Sequence, residues 1–316
     1  MNASFPSRRP GPIAPVAAAT ALLMAAILWA AGPDPQTRPA PADPAIDRQR
    51  EICLPAPAAF KTFAAEGVVL WTDAPLDGKG VLAEVTAATE MLEELLPDPS
   101  AAPAARPAPL ATAPAEAPKP RPVALAVYAR RDDYLALWTR VGEHYGGQFA
   151  AITTEGYSYR VFCATSYDSA EAFAARRSVL CHEMAHVWLY QRWGLANDSG
   201  WLTEGLATAV QLRLHPRAGD RRQFAEWMEA GHMLPLKRLM DQARIEPKDY
   251  WQAATLTELL VARHRDKLPE VVRAVREGRS AYRIVTDVLG TDFLTFGRQW
   301  AEHVRTGAAA TTRPAE

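Results

Sequence analysis

Four residues have the types and the spacing of a hydrolytic metal site. His182 and His186 stand four apart in the run H-E-M-A-H, and residues four apart lie on one face of a helix. Both imidazoles can therefore reach one ion at about 2.0–2.1 Å, the usual zinc–nitrogen distance. Glu183 is rotated by about 100° from His182, so it is badly placed to bind the ion but well placed to reach a water on it. Glu204, in the run W-L-T-E-G, offers a third ligand.

Two imidazoles and one carboxylate leave a fourth position open on the ion, which distinguishes a catalytic zinc site from a closed structural one. The helix around the histidines is apolar on nearly all sides, as expected of a buried helix. Its apolar members are Val179, Leu180, Val187, Trp188 and Leu189. Two histidines and a glutamate inside such a helix would be costly without a partner. A metal site is therefore favoured over a chance H-E-x-x-H on a surface helix.

The two runs, H-E-M-A-H and W-L-T-E-G-L-A, resemble those of the gluzincin metallopeptidases. They are similar to thermolysin in ligand set and closer to the H-E-L-A-H and W-L-N-E-G-F-A blocks of the aminopeptidase N type. The likeness is greatest to the peptidase MA-like domains of exported bacterial proteins, and it extends over residues 67–304. It implies that His182, His186 and Glu204 bind one Zn²⁺ and that Glu183 is the general base. The fold it implies is α+β and thermolysin-like, with a small mixed β-sheet lobe and a mainly α-helical C-terminal lobe.

A further catalytic residue is suggested by the segment D-Y-W-Q-A-A at residues 249–254. It resembles the Y-x-Q-S/A segment at the matching place in peptidase MA-like domains. This makes Tyr250 the candidate donor to an oxyanion, with Tyr282 and His232 as the next candidates. The alternative is a tyrosine that only packs the start of its helix.

The chain ends and the proline-rich stretches predict the domain organisation. Arg8 and Arg9 precede an apolar run at residues 13–32, which is typical of an export signal or a signal anchor. Either places the catalytic part in the periplasm, the cell envelope or the extracellular space, with residues 13–32 as a possible membrane anchor. Residues 33–47 are predicted to be a Pro/Ala-rich linker and residues 48–305 the peptidase domain. Residues 97–122 are predicted to be a disordered insertion and residues 306–316 a disordered tail.

Secondary-structure patterns give a coarse order of elements. Val68–Thr72 and Val123–Tyr128 are predicted to be strands. Residues 149–153 and 157–165 are predicted to form a hairpin before the metal-binding helix. We expect residues 157–165 to be an edge strand that pairs with an extended substrate, with an ordinary interior strand as the alternative. After Glu204 the apolar spacing predicts helices almost throughout.

Charge and cysteine content narrow the function classes. The chain has 35 basic and 36 acidic residues, which gives no electrostatic reason to expect a nucleic-acid partner. Three cysteines cannot all pair within one chain. A Cys53–Cys163 disulfide is conceivable in an exported protein, and Cys181 is interpreted as a small buried residue. Composition does not predict the oligomeric state.

The sequence therefore favours a zinc metallopeptidase acting on a peptide or protein substrate outside the cytoplasm. The run G-x-M-E-N, which anchors a substrate amino terminus in the aminopeptidase N group, is absent from the sequence. An endopeptidase is thus the default expectation. Two alternatives stay open: an exported binding or scaffold protein that keeps the fold without turnover, and an amide hydrolase acting on cell-wall peptides.

Overall fold

A five-stranded mixed sheet forms the N-terminal part of the fold, with strand order β1-β2-β3-β5-β4. Strands β2, β3 and β5 are parallel, and β1 and β4 add antiparallel strands at the two edges. The strands are β1 (Lys61–Ala65), β2 (Val68–Thr72), β3 (Val123–Tyr128), β4 (Gly156–Tyr159) and β5 (Phe162–Ser166). Every residue of β2, β3 and β5 is buried, as expected of parallel strands covered on both faces.

Helices surround the sheet and make up nearly all of the rest. They are α1 (Gly78–Leu95), α2 (Arg131–Tyr145), α3 (Ala170–Trp193), α4 (Trp201–Leu214), α5 (Asp220–Glu229), α6 (Leu236–Asp241), α7 (Tyr250–Arg263), α8 (Leu268–Arg276), α9 (Ala281–Arg283), a π-helical turn (Ile284–Val288) and α10 (Phe293–Thr311). The fold is therefore α+β, with a mixed sheet followed by a helical region, as the sequence predicted.

This computed structural model describes residues 51, 53–54, 59–96, 122–145, 155–159, 162–195, 200–216 and 220–311. The predicted export signal, the 33–47 linker and the strand at residues 149–153 lie outside the described residues. So does all but the last residue of the predicted 97–122 insertion. Within the part described, no helix is long and apolar enough to cross a membrane.

Alternation along the strands divides the apolar residues between two cores. On one face of the sheet, Leu125 and Cys163 join a core that continues through α1 and α3 into the C-terminal helices. On the other face, Phe162 and Ala164 pack with α2. Cys53 belongs to this second core, so the sheet separates it from Cys163. All three cysteines are free and buried, and the disulfide that the sequence left open is not formed.

Helix α3 carries His182 and His186, and both of its ends are capped. Ser169 accepts a hydrogen bond from the amide of Ala172 at 3.1 Å, which satisfies an N-terminal donor. Gly194 ends the helix with φ 64°, the left-handed conformation that glycine adopts at low cost. The histidines lie in the buried C-terminal half of this 24-residue helix. Their backbone positions are thus fixed by packing from several sides.

The structure differs from the sequence-based expectations at three places. Residues 157–165 are not one strand: β4 is at the edge, and β5 is interior and turns back antiparallel to it. Strand β1 was missed, because its sequence, K-T-F-A-A, has weak alternation. The tail was predicted to be disordered from residue 306, but α10 continues to Thr311. Three consecutive alanines at residues 308–310 favour this extension of the helix.

Candidate metal centre

Three buried side chains converge at the junction of α3 and α4. Nε2 of His182 is 3.1 Å from Nε2 of His186 and 3.2 Å from Oε2 of Glu204. The remaining separation, between His186 Nε2 and Glu204 Oε2, is 3.5 Å. Their exposed fractions are 8%, 3% and 2%, respectively. The three residues that the sequence predicted as ligands are thus brought together with one potential ligand atom each.

The spacing of these atoms fits a tetrahedral ion. Bonds of about 2.0–2.1 Å at tetrahedral angles place neighbouring ligand atoms about 3.3–3.4 Å apart. The observed separations of 3.1–3.5 Å bracket that value. The donor set of two imidazoles and a carboxylate is also one that zinc accepts in catalytic sites. The cluster can therefore hold a metal ion without rearrangement of its side chains.

The electrostatics of the cluster favour a cation. Burial alone raises the pKa of the Glu204 carboxyl, but hydrogen bonds from His182 and His186 outweigh burial and hold this pKa well below its usual range. Burial alone lowers the pKa of His182, but the hydrogen bond that His182 donates to Glu204 and the charges of Glu183 and Glu204 raise it overall. Metal binding requires an ionised carboxylate and neutral imidazoles, so the state of Glu204 meets this requirement and His182 must lose its proton when an ion binds.

Glu183 lies beside the cluster and is held by the edge strand. Its Oε2 accepts a hydrogen bond of 2.7 Å from the hydroxyl of Ser158, a buried residue of β4. A Cβ at Gly156, also on β4, would come within 3.3 Å of Glu183 Cγ and 2.9 Å of Val179 Cγ1. The glycine therefore allows α3 to approach the strand closely. Glu183 is oriented by β4 and does not belong to the three-ligand cluster.

Tyr250 adjoins the cluster from the opposite side. As the first residue of α7, it stacks on the ring of His182 with centroids 5.9 Å apart and an interplanar angle of 11°. The two other candidates from the sequence are elsewhere. Tyr282 is 56% exposed and stacks on Phe293, and His232 lines a separate cavity. Tyr250 is the one of the three that lines the cleft of the cluster.

The cleft itself has a volume of about 480 Å³. Its lining comes from residues 155–157, from α3 and α4, and from residues 244, 245, 247 and 250. Arg244 is the one cationic side chain among the lining residues, and no described residue forms an ion pair with it. The cleft presents both acidic and basic groups to a ligand.

Residues 152–234 match the model of a family described as a peptidase of plants and bacteria (BSP). The matched segment contains all three residues of the cluster, Glu183 and strand β4. The chain carries a peptidase-like domain. A comparison with curated proteins found no match to the chain.

Sequence reasoning missed two residues of the site. Ser158 falls in the segment predicted as a strand, but only the three-dimensional pairing shows that it contacts Glu183. Arg244 lies in a segment without periodicity and has no sequence signal. Gly205, the glycine of W-L-T-E-G, does carry a sequence signal, because glycine inside a helix is unfavourable relative to alanine.

Proposed function

We propose that the protein is a zinc-dependent peptidase of the gluzincin type that hydrolyses peptide bonds, with Glu183 as its general base. The observation that carries this proposal is the convergence of His182, His186 and Glu204 at tetrahedral spacing beside a carboxylate that is not a ligand. The peptidase-family match over the same residues supports the reaction class. Endopeptidase action is the default, because the sequence lacks the G-x-M-E-N run that anchors a substrate amino terminus in the aminopeptidase N group.

The chain's own residues divide the chemistry between them. Zinc held by the cluster would polarise the scissile carbonyl and lower the pKa of a water towards about 7. Glu183 takes the proton of the attacking water at Oε1, since Oε2 is occupied by the Ser158 hydroxyl. The same carboxyl then delivers the proton to the leaving amine nitrogen. Ser158 restricts the carboxylate to one orientation, which matters because proton transfer requires hydrogen-bond reach.

The edge strand supplies a surface for an extended substrate. Strand β4 pairs with β5 on one side, and among the described strands none pairs with its other side. An exposed strand edge offers amides and carbonyls to which a peptide can add. A peptide bound along β4 would pass Ser158 and Glu183. This retains the edge-strand prediction for residues 156–159 alone.

Tyr250 is proposed to stabilise the developing oxyanion. Its ring lies against His182 and lines the cleft, where the reacting carbonyl would bind. A second donor in such a site contributes far more than it would in water. We also propose that the enzyme is exported, by the signal or anchor at the N-terminus, and that its substrates are peptides or proteins outside the cytoplasm.

The proposal is tested by digestion of a mixed peptide library with the full chain. We expect cleavage products with the zinc-loaded protein, none after treatment with a chelator, and recovery on zinc addition. His186→Ala should lose stoichiometric zinc and all cleavage, because two ligands hold zinc weakly. His303→Ala, which changes a histidine far from the cluster in sequence, is the matched control and should keep both. Full cleavage by the chelated protein or by the His186→Ala protein would contradict the proposal.

A further inference from the structure

A second cavity, of about 450 Å³, lies in the helical region and shares a backbone segment with the metal cleft. Pro247 and Tyr250 line the cleft, whereas Asp249 and Trp251 line the second cavity. Its walls are mainly apolar and include Trp227 as well as Trp251. Nothing in the proposed hydrolysis uses this cavity.

One acidic residue, Asp249, lies in the wall of this cavity and is buried there. It is 6% exposed, and its carboxylate accepts no hydrogen bond from the residues that the structure describes. It precedes α7 but makes no capping bond to that helix. Burial raises the pKa of Asp249, and the charge of Lys248 only partly opposes this. A buried carboxylate without donors is costly, so a ligand that supplies a donor and a positive charge would be stabilised there.

The neighbouring lysine does not fill this role. Lys248 also lines the cavity, but its ammonium group pairs with Glu246 at 2.8 Å, and both side chains are about 70% exposed. The positive charge of Lys248 is thus already neutralised by Glu246 at the solvent-exposed surface. The proximity of Asp249 to the N-terminus of α7 gives a favourable dipole interaction. That interaction accounts for an acidic residue at this position but not for the aromatic walls beside it.

Two indole rings form those walls and are held in place by their neighbours. Trp227 and Trp251 have centroids 5.8 Å apart and an interplanar angle of 57°, so they form a wedge. Trp251 is also packed against Phe224 at 5.7 Å and Trp300 at 6.3 Å. Tryptophan faces are the best aromatic partners of cations, and aromatic cages recognise ammonium groups. The wedge is therefore a preformed surface for a cation.

The loop opposite the wedge is also fixed. Gln252 is fully buried and receives a hydrogen bond from the Leu234 amide at 2.9 Å while donating one to the Leu234 carbonyl at 2.7 Å. These bonds fasten residues 232–234 to α7, and His232 and Met233 complete the rim of the cavity. In the segment Y-W-Q, Tyr250 faces the metal cleft, Trp251 lines the cavity and Gln252 holds the loop.

We propose that this cavity binds an alkylammonium group, with Asp249 as its counter-ion and the indoles of Trp227 and Trp251 as its walls. A lysine side chain of a peptide and a free primary amine carry the same group. Because both cavities share the segment 247–251, a bound peptide could place a lysine here while its backbone lies in the cleft. This binding site is separate from the hydrolytic residues and does not depend on turnover.

The test is calorimetric titration of the full-length Glu183→Gln protein with three probes. Two are cations, n-butylammonium and Nα-acetyl-lysine N-methylamide, whose side-chain amine is free. The third is the neutral n-butanol. We expect both cations to bind at least about tenfold more tightly than butanol, since cation–π attraction and the buried carboxylate act only on a charge. Tighter binding of the lysine derivative would identify a peptide side chain as the ligand, and equal binding would identify a simple amine. Either result supports the proposal.

Asp249→Asn keeps the shape and removes the charge, so it should weaken cation binding about tenfold or more and leave butanol binding unchanged. Glu229→Gln, which removes an exposed acid of α5 outside the cavity lining, is the matched control and should bind as the parent does. Equal affinity of the parent for butylammonium and butanol would overturn the proposal, and so would undiminished cation binding by Asp249→Asn. The comparison of butylammonium with butanol uses only the parent protein, so it tests the proposal even if the Asp249→Asn protein does not fold. Because the readout is binding, a negative result here leaves the proposed peptidase activity untouched.

Discussion

Replacing Gly205 with alanine should weaken zinc binding through helix packing alone. Gly205 follows Glu204, the proposed third ligand, on α4, where α4 packs against α7. A Cβ at this position would meet the Thr257 hydroxyl and lie 2.6 Å from the carbonyl oxygen of Ala253. Favourable contacts require roughly 3.5 Å, so α4 must move away from α7 by somewhat less than about 1 Å. The carbonyl belongs to the helix backbone and cannot turn aside.

The change in the free energy of unfolding caused by Gly205→Ala has two opposing contributions. Overpacking of a tight interior costs about 1–3 kcal/mol, whereas alanine is favoured over glycine inside a helix by about 1 kcal/mol. We therefore expect a net loss of about 0–2 kcal/mol in the free energy of unfolding. Zinc binding should suffer more, because ligand distances are tolerated only within about 0.2 Å. We expect zinc affinity to fall roughly 10–100-fold, as it does when the residues supporting metal ligands are lost.

Zinc affinity is measured by competition with a chelator of known strength, and stability by thermal unfolding of the zinc-free protein. Gly297→Ala on α10 is the matched control, because its Cβ would lie 3.8 Å from Leu236 Cδ1, an ordinary contact. That variant should keep full zinc affinity and lose no stability. Unchanged zinc affinity in Gly205→Ala would refute the argument that the glycine sets the position of Glu204.

Three further substitutions test separate parts of the account. Ser158→Ala removes a hydrogen bond to a charged group, which contributes roughly 1.5–3 kcal/mol. We therefore expect kcat to fall about 10–100-fold at unchanged zinc content. An unchanged kcat would remove Ser158 from the mechanism. Tyr250→Phe should lower kcat about 10–10³-fold with zinc content and Tm unchanged, whereas an unaltered kcat would leave Tyr250 a packing residue. Burial raises the pKa of Glu258, but the hydrogen bond from Arg221 outweighs it and lowers this pKa. The pair therefore stabilises the fold above about pH 4.3, the unfolded value, and this contribution is lost as the pH falls further. The gap in urea midpoint between parent and Glu258→Gln should close in acid, and a gap independent of pH would count against the pairing.

The convergence of the three side chains was predictable because most of it is local. His182 and His186 are one turn apart on a single helix, so their spacing alone places both on one face. The apolar neighbours of the pair correctly indicated a buried helix. Glu204 required a second helix to meet the first, and that expectation came from the resemblance of the two motif blocks to gluzincins.

The contacts of the site depend on strand order, which local patterns do not encode. Residues 157–165 alternate well enough to suggest one strand, and no glycine or proline marks the reversal between Tyr159 and Phe162. The reversal makes β4 the edge of the sheet and brings Ser158 to Glu183. Similarly, no periodicity marks Arg244 or predicts that the segment after α6 forms a wall of the cleft.

The most direct test of the central claim is the turnover of the Glu183→Gln protein at confirmed zinc stoichiometry. The substitution keeps the size and the Ser158 contact but removes the base. We expect one zinc per chain, measured by atomic emission, and a loss of roughly 10²–10⁴-fold in peptide cleavage, the usual contribution of general-base catalysis. Parent-like cleavage by a fully zinc-loaded Glu183→Gln protein would contradict the account.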